Sequence, residues 1–168
     1  MNAKLIVEGK EFDIEILDPK LQELIAPKKK TGYERVGEGE NFYYSVDNGT
    51  ADYETEYGGV PDDETYADAN YYSDKTLAEN NARVEKLMRQ LRRFAVEHRE
   101  KKLDWNNPQI PKYMIRFAYY QKELVACREF YVRDFGNIFF DSEKTAQLAI
   151  NTFHDELVWY FTEYKDSL

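Results

Sequence analysis

Acidic side chains at β-strand spacing are the residues of this sequence that could recognise a charged partner. Asp52, Glu54 and Glu56 alternate along one predicted strand, so their side chains would share one face. Tyr53 and Tyr57 would then lie on the opposite face, which makes one face acidic and the other aromatic. A row of carboxylates can imitate phosphates and steer association with a basic surface, and tyrosine is enriched in binding hot spots. The predicted partner-binding residues are Asp52, Glu54, Glu56, Tyr57, Asp62, Asp63, Glu64 and Tyr66.

The negative charge of the chain is concentrated in one segment. The 168 residues include 32 Asp and Glu against 23 Lys and Arg, a formal net charge of -9. Residues 31–75 hold twelve acidic and two basic side chains, a net charge of -10, together with eight of the fourteen tyrosines. Residues 76–102 hold eight basic and four acidic side chains. The acidity that disfavours nucleic-acid binding therefore applies to the first of these segments and not to the second.

No group of residues has a spacing typical of catalysis, of a metal site or of a cofactor site. His98 and His154 are isolated, and Cys127, the single cysteine, lies in an apolar run with no histidine close by in sequence. Gly37-Glu38-Gly39-Glu40 lacks the lysine of a phosphate loop, and its carboxylates would repel phosphate. No apolar run approaches the roughly 20 residues that cross a bilayer. We therefore expect a non-enzymatic cytoplasmic protein with no cofactor, no metal and no membrane contact.

The first thirty residues are predicted to form a separate N-terminal segment. Residues 3–17 alternate between apolar and polar side chains, which predicts a β-hairpin with its turn at Gly9-Lys10. Asp18-Pro19 has the pattern of a helix start. Residues 1–30 are therefore assigned to a β-hairpin and a short helix, and residues 31–168 to an α+β domain.

The acidic segment is predicted to combine antiparallel strands with a loop. Residues 41–46 and 50–57 resemble strands and flank Asp47-Asn48-Gly49, which is a strong hairpin signal. Residues 33–36 are predicted to form a further short strand. Residues 58–69 are polar and rich in turn formers, which predicts a loop outside the core.

The clearest helix is predicted at residues 76–102. Apolar side chains recur there at steps of three and four residues, and Ser73 or Asp74 would be the N-cap. The outer face is basic, and one hypothesis is that it binds phosphates. The interpretation that we favour is pairing with the acidic hairpin of the same chain, or simple solvation. The alternative nucleic-acid-binding residues are Lys86, Arg89, Arg92 and Arg93.

Residues 103–168 repeat the order of strands followed by a helix. Tyr71-Tyr72-Ser73-Asp74 precedes a helix whose first inward residue is Ala78, and Phe139-Phe140-Asp141-Ser142 precedes a helix with Ala146 in the same place. The predicted fold is therefore α+β, with antiparallel β-hairpins packed on one long and two shorter helices in a possible two-unit ββα-like repeat. The elements predicted here are strands at 112–120, 124–132 and 137–140, and helices at 142–153 and 155–164.

Several motifs of the chain resemble a known group of proteins. They are NYYSDKTLAENNARVEKLMRQLRRFAVEH, LDWNN, PKYMIRFAYY and GNIFFDSEKTAQLAI, and together with TGYERV they cover about residues 31–155. The run is similar to small acidic accessory proteins encoded by phages and prophages of Gram-positive bacteria. The resemblance carries over no catalytic residue. It implies an accessory gene of a mobile element, of the kind that includes anti-CRISPR inhibitors of host defence.

The leading hypothesis is a non-enzymatic inhibitor that acts in the cytoplasm of a bacterial host. Its acidic, tyrosine-rich surface would compete with nucleic acid for a basic groove of a host-defence nucleoprotein, such as a CRISPR effector nuclease. The alternatives are a nucleic-acid-associated phage accessory protein that uses the basic helix at 83–102, and a structural or assembly protein of the phage particle.

Overall fold

The computed structural model describes residues 2–7, 10–15 and 30–164, and it has an α+β fold. Met1–Lys30 and Thr31–Leu168 form two separate compact parts of the chain. In the described parts of the chain, all strands pair as antiparallel hairpins, in the order β1-β2, β3-β4 and β5-β6. The strands are β1 (Asn2–Val7), β2 (Lys10–Glu15), β3 (Asn41–Val46), β4 (Thr50–Thr55), β5 (Lys112–Ala118) and β6 (Glu123–Glu129). The helices are α1 (Val60–Ala67), α2 (Lys75–Glu97), α3 (Glu143–Thr152) and α4 (His154–Thr162).

The N-terminal hairpin has the predicted strands with its turn placed differently. Val7 pairs with Lys10, so Lys10 belongs to β2 and not to the turn. The prediction that Lys10 lies in the turn is therefore wrong. Alternation along each strand fixes its faces, whereas the position of the turn depends on how the strand ends pair. The helix start predicted at Asp18-Pro19 lies outside the described residues.

The hairpin β3-β4 confirms the predicted turn at residues 47–49. Val46 pairs with Thr50, which leaves a three-residue loop. Gly49 has a φ of +86°, the left-handed conformation that favours glycine, and it closes a loop of the type-I-plus-bulge kind. A side chain at this position would also collide with the stem of Lys86 on α2. Gly49 therefore allows both the turn and the close approach of the helix.

The segment before β3 contains no strand, so the strand predicted at residues 33–36 is wrong. The carboxylate of Glu34 accepts hydrogen bonds from the backbone N–H groups of Thr31 and Gly32 and from the hydroxyl of Ser73. These side-chain contacts satisfy the backbone locally and compete with strand pairing. The backbone N–H of Thr31 is the main reason why the pKa of Glu34 falls to about 2.

The loop predicted at residues 58–69 is instead the helix α1. Gly59 is its N-cap, Pro61 lies in the first turn, and the carboxylate of Asp62, at the third helical position, accepts the backbone N–H of Gly59. Proline and aspartate near a helix start are favourable, although the same residues are also common in turns. The polar composition led to the prediction of a loop because this helix has no apolar stripe. Its start is instead stabilised by the residues of its first turn.

The long helix α2 begins as predicted and ends earlier. Asp74 is the N-cap, and its side chain accepts the backbone N–H of Leu77 at 2.8 Å. The helix ends at Glu97, and the backbone N–H groups of Glu100 and Lys101 donate to the carboxylate of Asp141 at 2.7 Å. The helix therefore ends five residues before residue 102, the predicted end, at a point where this carboxylate binds the chain that follows.

The third hairpin and the C-terminal helices complete the main core. β5-β6 packs on α3, and the helix bounds agree with the predictions, with Ser142 as the N-cap of α3. The strand predicted at residues 137–140 is reduced to a single bridge between Tyr113 and Phe140. The buried core cluster consists of Leu87, Leu91, Phe94, Ala95, Phe140, Ala146, Ala149 and Leu157.

Within residues 31–164, two hairpin-plus-helix units have the same construction: the first is β3-β4 with α2, and the second is β5-β6 with α3. A bridge joins Tyr43 of β3 to Tyr72, two residues before the N-cap of α2. The equivalent bridge joins Tyr113 of β5 to Phe140, two residues before the N-cap of α3. The small residues predicted to face inward, Ala78 in α2 and Ala146 in α3, are both fully buried.

Candidate protein-binding surface

An ion pair between an exposed arginine and a buried glutamate lies at the centre of the acidic segment. The Nε and Nη2 atoms of Arg35 donate to the two carboxylate oxygens of Glu56 at 2.9 and 2.8 Å. The hydroxyl of Tyr71 donates to the same carboxylate at 2.8 Å, and the backbone N–H of Gly58 donates at 2.7 Å. Only 3% of Glu56 is exposed. The expectation that Glu56 contacts a partner is therefore wrong for this structure, because the chain itself uses the whole carboxylate.

The titration of these groups reflects the network. The hydrogen bonds from Arg35, supported by those from Tyr71 and Gly58, lower the pKa of Glu56 to about 2. Burial, together with the hydrogen bond to Glu56, raises the pKa of Tyr71 to about 12. The same carboxylate raises the pKa of Arg35 above its ordinary value. All three groups therefore keep one protonation state across the physiological range.

Asp62 and Asp63 also have partners within the chain. Asp62 is buried, and its carboxylate accepts the backbone N–H groups of Tyr57 at 2.9 Å and Gly59 at 3.1 Å. Asp62 therefore caps the start of α1, and its predicted role as a partner-binding residue is wrong. Asp63 is exposed and forms an ion pair with Nη1 of Arg35. Sequence spacing concealed both roles of Arg35, whose two partners lie 21 and 28 residues further along the chain.

The hairpin register mixes aromatic and acidic side chains on one face. Tyr44 lies opposite Asp52, and Phe42 lies opposite Glu54, so the predicted separation into an acidic and an aromatic face is wrong. Alternation along β4 places Asp52 and Glu54 on one face of that strand. The sequence does not show which residues of β3 lie opposite them. Burial raises the pKa of Tyr44, and the neighbouring Asp52 and Glu54 raise it further. Tyr44 therefore lies directly opposite Asp52, and Glu54 is the next residue of β4 on the same face.

An aromatic stack connects this face to α1. Phe42 stacks on Tyr71 with ring centroids 4.1 Å apart, and Tyr71 meets Tyr66 edge-on at 5.3 Å. Tyr66 remains 44% exposed, so it is the outer end of a stack whose inner members are buried. We define the acidic tyrosine surface as Tyr44, Asp52, Glu54, Tyr57, Glu64 and Tyr66.

The carboxylates of this surface are available to a partner. Asp52, Glu54 and Glu64 are exposed, and in the described part of the chain none of them forms an ion pair. Tyr57 is 72% exposed beside them in the loop before α1. Of the eight predicted partner-binding residues, these three acids and the two tyrosines Tyr57 and Tyr66 are exposed and form no ion pair in the described residues, whereas Asp63 is exposed but paired with Arg35. Tyr44, which sequence analysis missed, joins them because of its cross-strand position.

Much of the basic face of α2 is paired within the chain. Nη2 of Arg89 donates to the backbone carbonyl of Asp47 at 2.7 Å, and Arg93 lies 3.7 Å from Glu97. Arg83 forms two hydrogen bonds to Glu156, at 2.7 and 3.1 Å, and its guanidinium lies 3.8 Å from the centre of a tryptophan ring. Arg89 therefore contacts the acidic hairpin, as in the interpretation that we favoured, whereas Arg93 pairs within α2 and Arg83 pairs with α4.

The two other predicted cations of this helix differ from these arginines. Lys86 packs its stem against Gly49, and Arg92 is exposed at the side of a cleft. Neither forms an ion pair among residues 2–7, 10–15 and 30–164. Both are therefore available to an anion, although they do not form a continuous basic stripe with Arg89 and Arg93.

The described residues contain no group of three or more His, Cys, Asp and Glu side chains arranged to hold a metal ion. None of the described helices combines the length and apolarity needed to cross a membrane. Comparison with known protein families, with curated proteins and with solved structures found no match.

Proposed function

We propose that this chain is a non-enzymatic binding protein that docks the acidic tyrosine surface onto a basic groove of a protein partner. The observation that carries the proposal is the register that places Tyr44 opposite Asp52 and on the same face as Glu54, two exposed carboxylates with no ion-pair partner in the described structure. A tyrosine ring beside carboxylates offers an apolar contact and two charges to an arginine or lysine side chain. Arg35 binds both the buried Glu56 at the end of β4 and Asp63 on α1, and it thereby links the two elements that carry this surface.

A nucleic-acid-binding groove is the class of partner surface that suits this pattern. Carboxylates on alternate residues of a strand lie about 7 Å apart, close to the spacing of successive phosphates along a nucleic-acid strand. Such a surface attracts basic grooves over a long range and blocks the nucleic acid that they bind. The resemblance to phage and prophage proteins makes a host-defence effector nuclease in the bacterial cytoplasm the first partner to test.

Displacement of DNA from a purified CRISPR effector nuclease tests this proposal. The nuclease is loaded with fluorescent duplex DNA, and the chain is added at rising concentration while anisotropy is recorded. Loss of anisotropy that weakens with added salt supports competition for the groove. Anisotropy that does not fall at concentrations well above that of the nuclease contradicts that choice of target.

Direct binding of nucleic acid is the second candidate, because Lys86 and Arg92 have no ion-pair partner in the described parts of the chain. The pairing of Arg89 and Arg93 leaves few cations to neutralise phosphates, so the predicted affinity is weak and steeply salt-dependent. A gel shift at low salt distinguishes the two candidates, since only this one requires the chain alone to retard DNA.

A further inference from the structure

The two hairpin-plus-helix units differ at the unpaired edge of their first strand, which is β3 in the first unit and β5 in the second. In the first unit, Tyr43 exchanges two backbone hydrogen bonds with Tyr72, at 2.8 and 2.9 Å. Two residues further along β3, the side chain of Asn70 takes over. Its Oδ1 accepts the N–H of Ser45 at 2.7 Å, and its Nδ2 donates to the carbonyl of Ser45 at 3.1 Å. This amide imitates a strand and closes the edge of β3.

The second unit leaves the equivalent position open. Tyr113 exchanges both backbone hydrogen bonds with Phe140, at 2.9 and 2.7 Å, so its N–H and C=O point away from β6. Because the pattern alternates along an antiparallel strand, the N–H and C=O of Ile115 and Phe117 point the same way. The residue equivalent to Asn70 is Ile138, which has no polar side chain. The described structure records no hydrogen bond to the backbone of Ile115 on this edge.

A cleft of about 460 Å³ opens at this edge. Leu91, Met114 and Phe140 contribute buried apolar side chains to its lining. Ile115 of β5 also lines the cleft. A volume of this order is within the range of ligand sites. The chain after β6 forms the opposite wall, where the side chain of Phe135 is fully exposed.

Two guanidinium groups give the cleft a positive charge. Arg92 of α2 and Arg116 of β5 both line it, both are exposed, and neither forms an ion pair among the described residues. A ligand that carries carboxylates on one side would therefore be favoured.

We propose that this cleft binds an extended acidic peptide segment of a partner protein, which adds as a strand to the open edge of β5 at Ile115 and Phe117. Strand addition supplies the N–H and C=O partners that Asn70 supplies in the first unit. A nucleic acid lacks alternating donors and acceptors at strand spacing, so the backbone geometry favours a peptide. Apolar side chains of the added strand would contact the apolar lining of the cleft, and its acidic side chains would meet Arg92 and Arg116 in the same lining.

This site is separate from the acidic tyrosine surface. It is formed by β5, α2, α4 and the chain before α3, whereas that surface lies on β3, β4, α1 and the loop before α1. The inference therefore does not rest on the proposed function. The variant that reverses Asp52, Glu54 and Glu64 to lysine is expected to bind the acidic peptide as the wild type does.

Nuclear magnetic resonance titration of the full chain tests the inference. The probe is the hexapeptide acetyl-Val-Glu-Val-Glu-Val-Glu-amide, compared with its glutamine counterpart and with a version N-methylated at alternate residues. We expect the amide signals of Ile115 and Phe117 to shift and their hydrogen exchange to slow by about tenfold or more on saturation. Replacing glutamate by glutamine, or methylating the backbone, is expected to weaken binding by about tenfold.

Matched variants separate charge at the cleft from general charge. The double variant Arg92→Gln with Arg116→Gln should weaken peptide binding by about tenfold, whereas Arg93→Gln with Arg128→Gln changes it by less than about twofold. The proposal is overturned if about 1 mM peptide leaves Ile115 and Phe117 unperturbed, or if the glutamine peptide binds as tightly. It is also overturned if inorganic phosphate alone gives the same shifts, or if a dimer without peptide already protects the Ile115 amide.

Discussion

Arg35 and Glu56, 21 positions apart in the chain, form a two-pronged ion pair, and Tyr71 donates a third hydrogen bond to the same carboxylate. This pair fastens the loop before β3 to the end of β4. Asp63, on α1, binds the remaining arm of the guanidinium. Glu56 and Asp63, which are not part of the acidic tyrosine surface, therefore support it through their contacts with Arg35.

The fork of Arg35 cannot be replaced by a point charge. Arg35→Lys is expected to lower the melting temperature by several degrees, because an ammonium group cannot donate to Glu56 through two fixed arms and reach Asp63 as well. Differential scanning calorimetry measures the change. Arg93→Lys, in an exposed pair with Glu97, is the control and should leave the melt nearly unchanged. Equal effects of the two substitutions would contradict the structural role of Arg35.

Acid should destabilise the fold in a defined window. The pKa values of Glu56 and Glu34 are about 2 in the folded chain, against an ordinary 4.5. A lowered folded pKa gives stability that is present above pH 4.5 and is lost as the pH falls toward 2. Urea unfolding midpoints measured across this window should therefore fall. In Glu56→Gln the fall should be shallower, and a parallel pH profile would show that Glu56 is not one of the responsible groups.

The hydroxyl of Tyr71 should be worth a measurable part of the stability. Tyr71→Phe removes the hydrogen bond to Glu56 and the one accepted from the backbone N–H of Val36. The expected loss in the free energy of unfolding is about 1–3 kcal/mol. Tyr120→Phe, at a ring that is 95% exposed, is the control and should have almost no effect. Chemical denaturation of both variants decides, and a Tyr71→Phe protein as stable as the wild type would refute the assignment.

Replacement of Asn70 should reduce the protection of the β3 backbone at Ser45 from hydrogen exchange. Asn70→Ile copies the second unit into the first, and it removes the two hydrogen bonds that Asn70 makes to Ser45. Amide hydrogen exchange at Ser45 is expected to rise to that at Ile115, while exchange at buried positions of α2 stays slow. Unchanged protection of Ser45 would mean that the amide of Asn70 does not close the edge.

The patterns that depend on near neighbours in sequence predicted much of the fold. Glycine at position 49, the N-cap at Asp74 and the apolar period of α2 are local signals, and each acts where it stands in the chain. The repeated corner before α2 and α3 could likewise be found by comparing short motifs.

The features that sequence analysis missed depend on distant partners. Asp62 and Glu56 share the composition of an exposed acidic loop, and only their contacts to the start of α1 and to Arg35 make them buried. The sequence places Tyr44 three residues from the turn but cannot show that Asp52 stands opposite. Five of the six residues of the acidic tyrosine surface were therefore named from the sequence, whereas Tyr44 and the contacts that support the surface were not.

Capture of partners by the immobilised chain tests the central claim most directly. A bacterial lysate is passed over the wild type, over Asp52→Lys/Glu54→Lys/Glu64→Lys, and over the control Glu100→Lys/Glu123→Lys/Glu163→Lys, which changes the net charge equally at exposed sites elsewhere. Circular dichroism confirms that all three chains are folded. We predict that the wild type and the control retain a nucleic-acid-binding protein that duplex DNA displaces, and that the first variant does not retain it. Retention by the first variant, or a captured protein that DNA cannot displace, would contradict the account.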